Sequence, residues 1–117
     1  MKQPYVIKRL SETPPVKCPC GDAYRIMTGE DNDLVSIHRV NVHIDAQKHY
    51  HEKLTEYYII LAGSGKLELG DELVDVEPGD VVMIPPLTRH AARGEFEIIN
   101  VVCPPFDGED EHPTAAE

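Results

Sequence analysis

Basic residues are scarce in this chain of 117 residues: Lys and Arg number 11 against 21 Asp and Glu, a formal net charge of −10 with histidine neutral. A surface of that sign repels phosphate backbones and anionic membranes, which argues against nucleic-acid binding and membrane docking. Long apolar runs are also missing. The longest extends only from residue 57 to residue 62, far short of a membrane-crossing helix. The N-terminal Met1-Lys2-Gln3-Pro4 lacks the apolar stretch of a signal peptide. Cysteines number three, an odd count without the spacing of a disulfide framework. A reduced, cytoplasmic setting is the expectation. Helical periodicity is absent as well, and so are internal repeats.

What remains is enough for one domain with a single core. The composition is 41% hydrophobic and 27% charged, ordinary for a globular protein. Residues 1–20 carry Pro4, Pro14, Pro15 and Pro19, which forbid a helix and interrupt any long strand, so they read as an arm with a short strand at residues 5–8. Residues 107–117 hold Asp107, Glu109, Asp110, Glu111 and Glu117 with almost nothing apolar, and read as a flexible acidic tail. The domain lies between, at residues 21–106.

That middle is a series of short β-type runs cut by turn residues. Residues 23–27 form one run. Residues 34–44 form a longer one, in which Ser36, His38, Val40, Val42 and Ile44 alternate with Val35, Ile37, Arg39, Asn41 and His43. Residues 56–62 end at the turn signal Gly63-Ser64-Gly65, and residues 66–69 follow. Gly70-Asp71 leads into residues 73–76, Pro78-Gly79-Asp80 into residues 81–84, and residues 96–103 close the series. Short strands with this punctuation predict an all-β sandwich or barrel with antiparallel pairing.

The chemistry concentrates in histidine. In an extended strand, His49 and His51 point to the same face with side chains roughly 6–7 Å apart, close enough to share one ion. A solvated polar hairpin is the alternative reading of that pair alone. Glu56 opens the next strand after a turn over residues 52–55, and the returning hairpin sets its carboxylate beside the histidines. His90 stands near the end of the series, where a neighbouring strand can supply it as a fourth ligand. Three imidazoles and one carboxylate suit Fe, Mn, Ni, Co, Cu or Zn, and leave octahedral positions open for water, O₂ or a bidentate substrate.

These residues carry a resemblance. His49-x-His51, four residues, Glu56, six residues and Gly63 resemble the first motif of the cupins. Gly79, five residues, Pro85 and then His90 resemble the second, with a 15-residue gap between Gly63 and Gly79 like that of small single-domain members. The likeness spans residues 34–103. His43 and Leu87 stand where the motifs usually have Gly, and Gly94 where the second often has Asn. None of the three is a ligand; they bear on loop shape and on any asparagine-dependent pocket contact. The resemblance implies an antiparallel double-stranded β-helix (a jelly-roll β-barrel) with a metal at its mouth, usually as a homodimer. It also implies a family of dioxygenases, isomerases, epimerases, lyases, decarboxylases and plain sugar or effector binders.

Other residues are candidates around that centre. Tyr58 and Ile60 share strand parity with Glu56 and should face inward; Tyr57, Ile59 and Leu61 should face a packing or dimer surface. His38 enters the pocket if its strand face lines the interior, whereas His43 reads as a solvent-facing strand end and His112 as part of the tail. Arg25 or Arg39 could serve an anionic substrate or simply pair with surface carboxylates. Cys18-Pro19-Cys20 is too tightly spaced for a zinc knuckle and reads as a thiol pair. The functional expectation is a dioxygenase-type oxidoreductase on a small oxygenated molecule, with Glu56, Tyr58 and His38 as catalytic candidates. The alternatives are a non-redox metal-dependent isomerase or lyase, and a non-catalytic small-molecule binding or sensor module.

Overall fold

Strict alternation along one strand organises the molecule. In a computed structural model, which describes residues 4–114, strand β3 (Ser36–Val42) buries every second residue: Ser36, His38, Val40 and Val42. Ile37, Val40 and Val42 are β-branched, as a pleated half-buried surface favours. Ile44, grouped with Ser36, His38, Val40 and Val42 by alternation, lies beyond the strand and is exposed.

Among the described residues eight further strands surround it: β1 (Pro15–Cys18), β2 (Gly21–Met27), β4 (His49–Tyr50), β5 (Thr55–Leu69), β6 (Glu72–Val76), β7 (Val81–Ile84), β8 (His90–Cys103) and β9 (His112–Pro113). Every pairing is antiparallel. One path runs β1-β2-β3-β8-β4-β9, while β5 pairs with β6, β7 and β8. Strand β8 is the seam. Its C-terminal half pairs with β3, from Val42↔Phe96 to Ser36↔Val102, and its other edge pairs with β5 from Leu69↔His90 to Thr55↔Cys103. The long strands curl the sheet into the expected all-β, antiparallel jelly-roll barrel. Its core gathers Val40, Val42, Ile60, Leu67, Ile84, Phe96 and Ile98. Among the described residues, no helix is long and apolar enough to cross a membrane.

Four local expectations are corrected. Gly63-Ser64-Gly65 is not a turn, because β5 runs straight through it. The glycines permit a close crossing instead. A Cβ at Gly63, where φ is +78°, would lie 2.7 Å from the Glu95 carbonyl oxygen, and one at Gly65 would lie 2.5 Å from that of Arg93. Residues 5–8 form no strand, whereas residues 15–18 do, pairing with β2. Strand β8 begins at His90 rather than residue 96. Finally, residues 107–114 are not a solvated tail. They form a 3₁₀ turn (Gly108–Asp110) and β9, which pairs with β4, and Asp110 is only 7% exposed. Glu117, also expected in the tail, lies outside the described residues.

Candidate metal centre

The two motif halves meet because β4 pairs with the start of β8, setting His49 directly opposite His90. Their ring centroids are 4.4 Å apart. His51 follows β4, with its ring 5.2 Å from His49 and 5.5 Å from His90. Glu56 reaches the same point from β5, as the returning hairpin predicts. One ligand atom from each of His49, His51, Glu56 and His90 lies within 4.8 Å of every other, so the cluster could hold a metal ion. His51, Glu56 and His90 are buried, and His49 is half-buried.

Hydrogen bonding fixes which ring atoms face inward. Nδ1 of His51 lies 2.8 Å from the Asp110 carbonyl oxygen, and Nδ1 of His90 lies 2.8 Å from that of Thr88. A carbonyl can only accept, so each Nδ1 carries hydrogen and donates. Nε2 of a neutral ring then presents a lone pair. Yet Nε2 of His51 and Nε2 of His90 stand 3.0 and 2.9 Å from the same Glu56 oxygen, Oε1. Lone pairs converging on a carboxylate oxygen require a cation among them, either a proton on a ring or a metal ion. Backbone carbonyls that fix the tautomer are also what metal-ligating histidines ordinarily carry. The donor set therefore fits a divalent transition metal. His49 follows the same scheme more loosely, with Nδ1 3.3 Å from the Gln47 carbonyl oxygen.

The electrostatics agree. Burial opposes ionisation of Glu56, but in the metal-free cluster hydrogen bonds from protonated His51 and His90 rings hold its carboxyl well below the ordinary range. Burial also opposes charge on His51; the Glu56 hydrogen bond and charge outweigh it and raise the pKa. For His49, burial and the neighbouring His90 lower it.

Two supporting residues escaped the sequence reading. Asn100 donates from Nδ2 to Glu56 Oε2 over 2.7 Å. Since the carboxylate only accepts, the amide orientation is fixed, and Asn100 Oδ1 is left buried without a partner among the described residues. Asp110 accepts from the backbone N–H groups of Glu52, Lys53 and Leu54 at 2.9, 2.9 and 3.1 Å. Burial works against its charge, and those three donors bring its pKa down to about 2. Side chain and carbonyl of one residue thus hold both the turn after His51 and the His51 ring. His112, expected in the tail, stacks on Tyr50 and sits 3.2 Å from Asp110 Oδ1.

A cavity of about 500 Å³ opens beside Glu56 and His49. Register builds its wall. Arg25 of β2 faces His38 of β3, His38 faces Asn100 of β8, and Asn100 faces Tyr58 of β5, one row across four strands. All four line the cavity. His38 is buried, and burial together with the Arg25 charge lowers its pKa to about 4, so the ring is neutral near pH 7. Neither of its ring nitrogens, nor the Tyr58 hydroxyl, has a hydrogen-bond partner among the described residues. Burial and the Glu56 charge push the Tyr58 hydroxyl well above its ordinary pKa. Arg25 lies over the Phe106 ring at 5.1 Å and forms no ion pair among the described residues. Arg39 pairs with Glu97 at 2.8 Å and does not line the cavity. His43 is outside too, 3.1 Å from Asp22.

The chain belongs to the cupin family: the Cupin domain model matches residues 36–102. Over 66 residues it is 35% identical to an uncharacterized protein of Methanocaldococcus jannaschii, covering 53% of each chain. The chain thus spans about half the length of that curated relative. A crystal structure of a protein from Planctomyces limnophilus superposes with a TM-score of 0.87 at 38% identity, covering 94% of this chain and 96% of that one. Streptomyces Pac13, a nucleoside dehydratase, superposes with a TM-score of 0.84 at 22% identity, covering 94% and 91%. At that identity the likeness concerns the fold.

Proposed function

We propose that this cupin is a small metal-dependent enzyme that moves a proton on an oxygenated organic molecule, in the manner of an isomerase, lyase or dehydratase. The observation carrying this reading is His38: a buried neutral imidazole, free at both nitrogens among the described residues, on the cavity wall beside Asn100. A neutral imidazole in that position can accept a substrate proton, more readily once an anionic substrate offsets the Arg25 charge that helps lower its pKa. His49, His51, Glu56 and His90 would hold the metal, which when bound supplies Lewis-acid polarisation of a substrate oxygen. Arg25 offers a cation to a carboxylate or phosphate on the substrate, and Tyr58 a hydroxyl that stays protonated. The fold accommodates such chemistry, since Pac13 is a dehydratase.

The test is hydrogen exchange in D₂O. Protein loaded with Mn, Fe, Ni or Zn is incubated with hydroxy acids, keto sugars and nucleosides, and carbon-bound deuterium is followed by NMR. His38→Gln should abolish exchange while metal content stays the same. Exchange that persists in the variant overturns the assignment of His38. Binding without exchange in the wild type would make the chain a sensor or carrier.

A second reading is oxidation by O₂, of the dioxygenase type. Its support is the donor set, three imidazoles and a carboxylate, which suits Fe(II) or Mn(II) and leaves room for substrate and O₂ together. Turnover that stops under argon would select it.

We also propose a cytoplasmic homodimer. Tyr57 pairs with Met83 and Ile59 with Val81 across β5 and β7, and Val81 and Met83 are 65% and 57% exposed. A second copy would cover this apolar outer face. Sedimentation should give a dimer, and Val81→Glu with Met83→Glu should give a monomer.

A further inference from the structure

Cys18 ends β1 and Cys20 stands in the turn into β2, with Pro19 between them. Their sulfurs are 3.5 Å apart, in hydrogen-bond contact. Both are free, half-buried thiols, and both line the cavity that contains Glu56 and Tyr58. The hairpin holds them there, because Cys18 and Gly21 form the last pair of the β1–β2 ladder. Cys103, the remaining cysteine, is at the end of β8 and does not line the cavity.

The two sulfurs are not equivalent. The Cys20 S–H and the backbone N–H groups of Cys20 and Gly21 favour a thiolate on Cys18 and lower its pKa to about 6. The same contact with Cys18, together with burial, raises that of Cys20. A thiolate beside a protonated thiol, inside a solvent-connected cavity, is the arrangement of an attacking and a resolving cysteine. A disulfide needs about 2.05 Å between sulfurs, so closure asks for a movement of roughly 1.5 Å within one turn.

We propose that Cys18 and Cys20 form a reversible dithiol–disulfide pair in the cavity wall, oxidised by low-molecular-weight disulfides. The Cys18 thiolate attacks one sulfur of the incoming disulfide. That S–S bond breaks, one thiolate leaves, and a mixed disulfide forms on Cys18. The departing thiolate takes the proton of Cys20. The Cys20 sulfur then attacks Cys18 Sγ and expels the second thiolate. The protein loses two electrons, and the small disulfide becomes one thiol and one thiolate, which takes its proton from water. The bond pins the β1–β2 turn against the cavity, so the oxidation state of the pair sets the shape of one wall. None of this depends on the metal reading.

Reduced full-length protein is mixed with excess oxidised glutathione and followed by intact mass and peptide mapping. Wild type should lose two hydrogens, show a Cys18–Cys20 link, leave Cys103 free, and be restored by dithiothreitol. Cys20→Ser should accumulate one glutathione on Cys18, and Cys18→Ser should react at least ~10-fold more slowly, having lost the stabilised thiolate. A lasting glutathione adduct on wild type, or equal reactivity of the two serine variants, overturns the proposal. If a serine variant fails to fold, the wild-type mass and link decide alone.

Discussion

Asn100 holds one oxygen of Glu56 by a 2.7 Å hydrogen bond, leaving the other to meet His51 and His90. The carboxylate is thereby aimed as well as placed. Asn100→Leu keeps the volume and all four candidate ligands but removes the donor. Loss of such an outer partner typically weakens metal affinity about 10–100-fold. Calorimetric titration of the metal-free variant with Ni or Zn should show that loss with the stoichiometry kept at one. Unchanged affinity would reduce Asn100 to a packing residue.

His38 sets a pH dependence. Its folded pKa of about 4 lies below the ordinary 6.5, because burial and Arg25 disfavour the charged ring. Between those values the unfolded chain binds a proton that the folded chain does not. Stability from this group is therefore present above pH 6.5 and is lost as pH falls toward 4. Urea midpoints of metal-free protein at pH 7.5 and pH 5 should differ, and His38→Gln should narrow the difference. The raised pKa of His51 acts in the opposite sense, so the comparison between variants is the informative one.

Asp110 ties the C-terminal segment to the turn after His51. Asp110→Ala leaves three backbone donors of residues 52–54 without their acceptor. Hydrogen bonds to a charged acceptor contribute about 1.5–3 kcal/mol each, less where water can substitute, so a loss of about 3 kcal/mol is expected. Denaturant titration measures it. Metal affinity should fall too, because the segment that presents the residue 110 carbonyl to His51 loses its side-chain anchor.

Leu87 is a non-glycine residue in the left-handed region, with φ at 70°, at a position where the second motif usually carries Gly. Its side chain is 66% exposed, so little packing is at stake. Left-handed strain costs about 1–2 kcal/mol, against somewhat less for the added freedom of glycine in the unfolded chain. Leu87→Gly should raise stability by about 0.5–1 kcal/mol. Gly63→Ala should do the reverse and more strongly, since both its φ and the Glu95 carbonyl oppose a Cβ. Thermal melts of the pair test both signs.

What the sequence made legible followed local rules. Parity fixed the facing of His49 and His51, and of Glu56, Tyr58 and Ile60, because the side-chain period of a strand is two. The residues that escaped are those whose role depends on register between distant strands. Nothing near Asn100 announces that β8 carries it opposite both His38 and Tyr58. Asp110 sits in an acidic, apolar-poor stretch that composition alone assigns to solvent, and only pairing of β9 with β4 brings it to residue 52. Gly63 and Gly65 misled for a related reason: a glycine pair marks a turn or a close approach with the same letters.

The position of Asp110 also bears on synthesis. All four candidate ligands leave the ribosome before it does, yet the carbonyl that aims His51 and the carboxylate that secures the following turn arrive with residue 110. A nascent chain halted at residue 106 would already possess the ligands without the brace that orients one of them. The brace on His51 would thus arrive after all four candidate ligands.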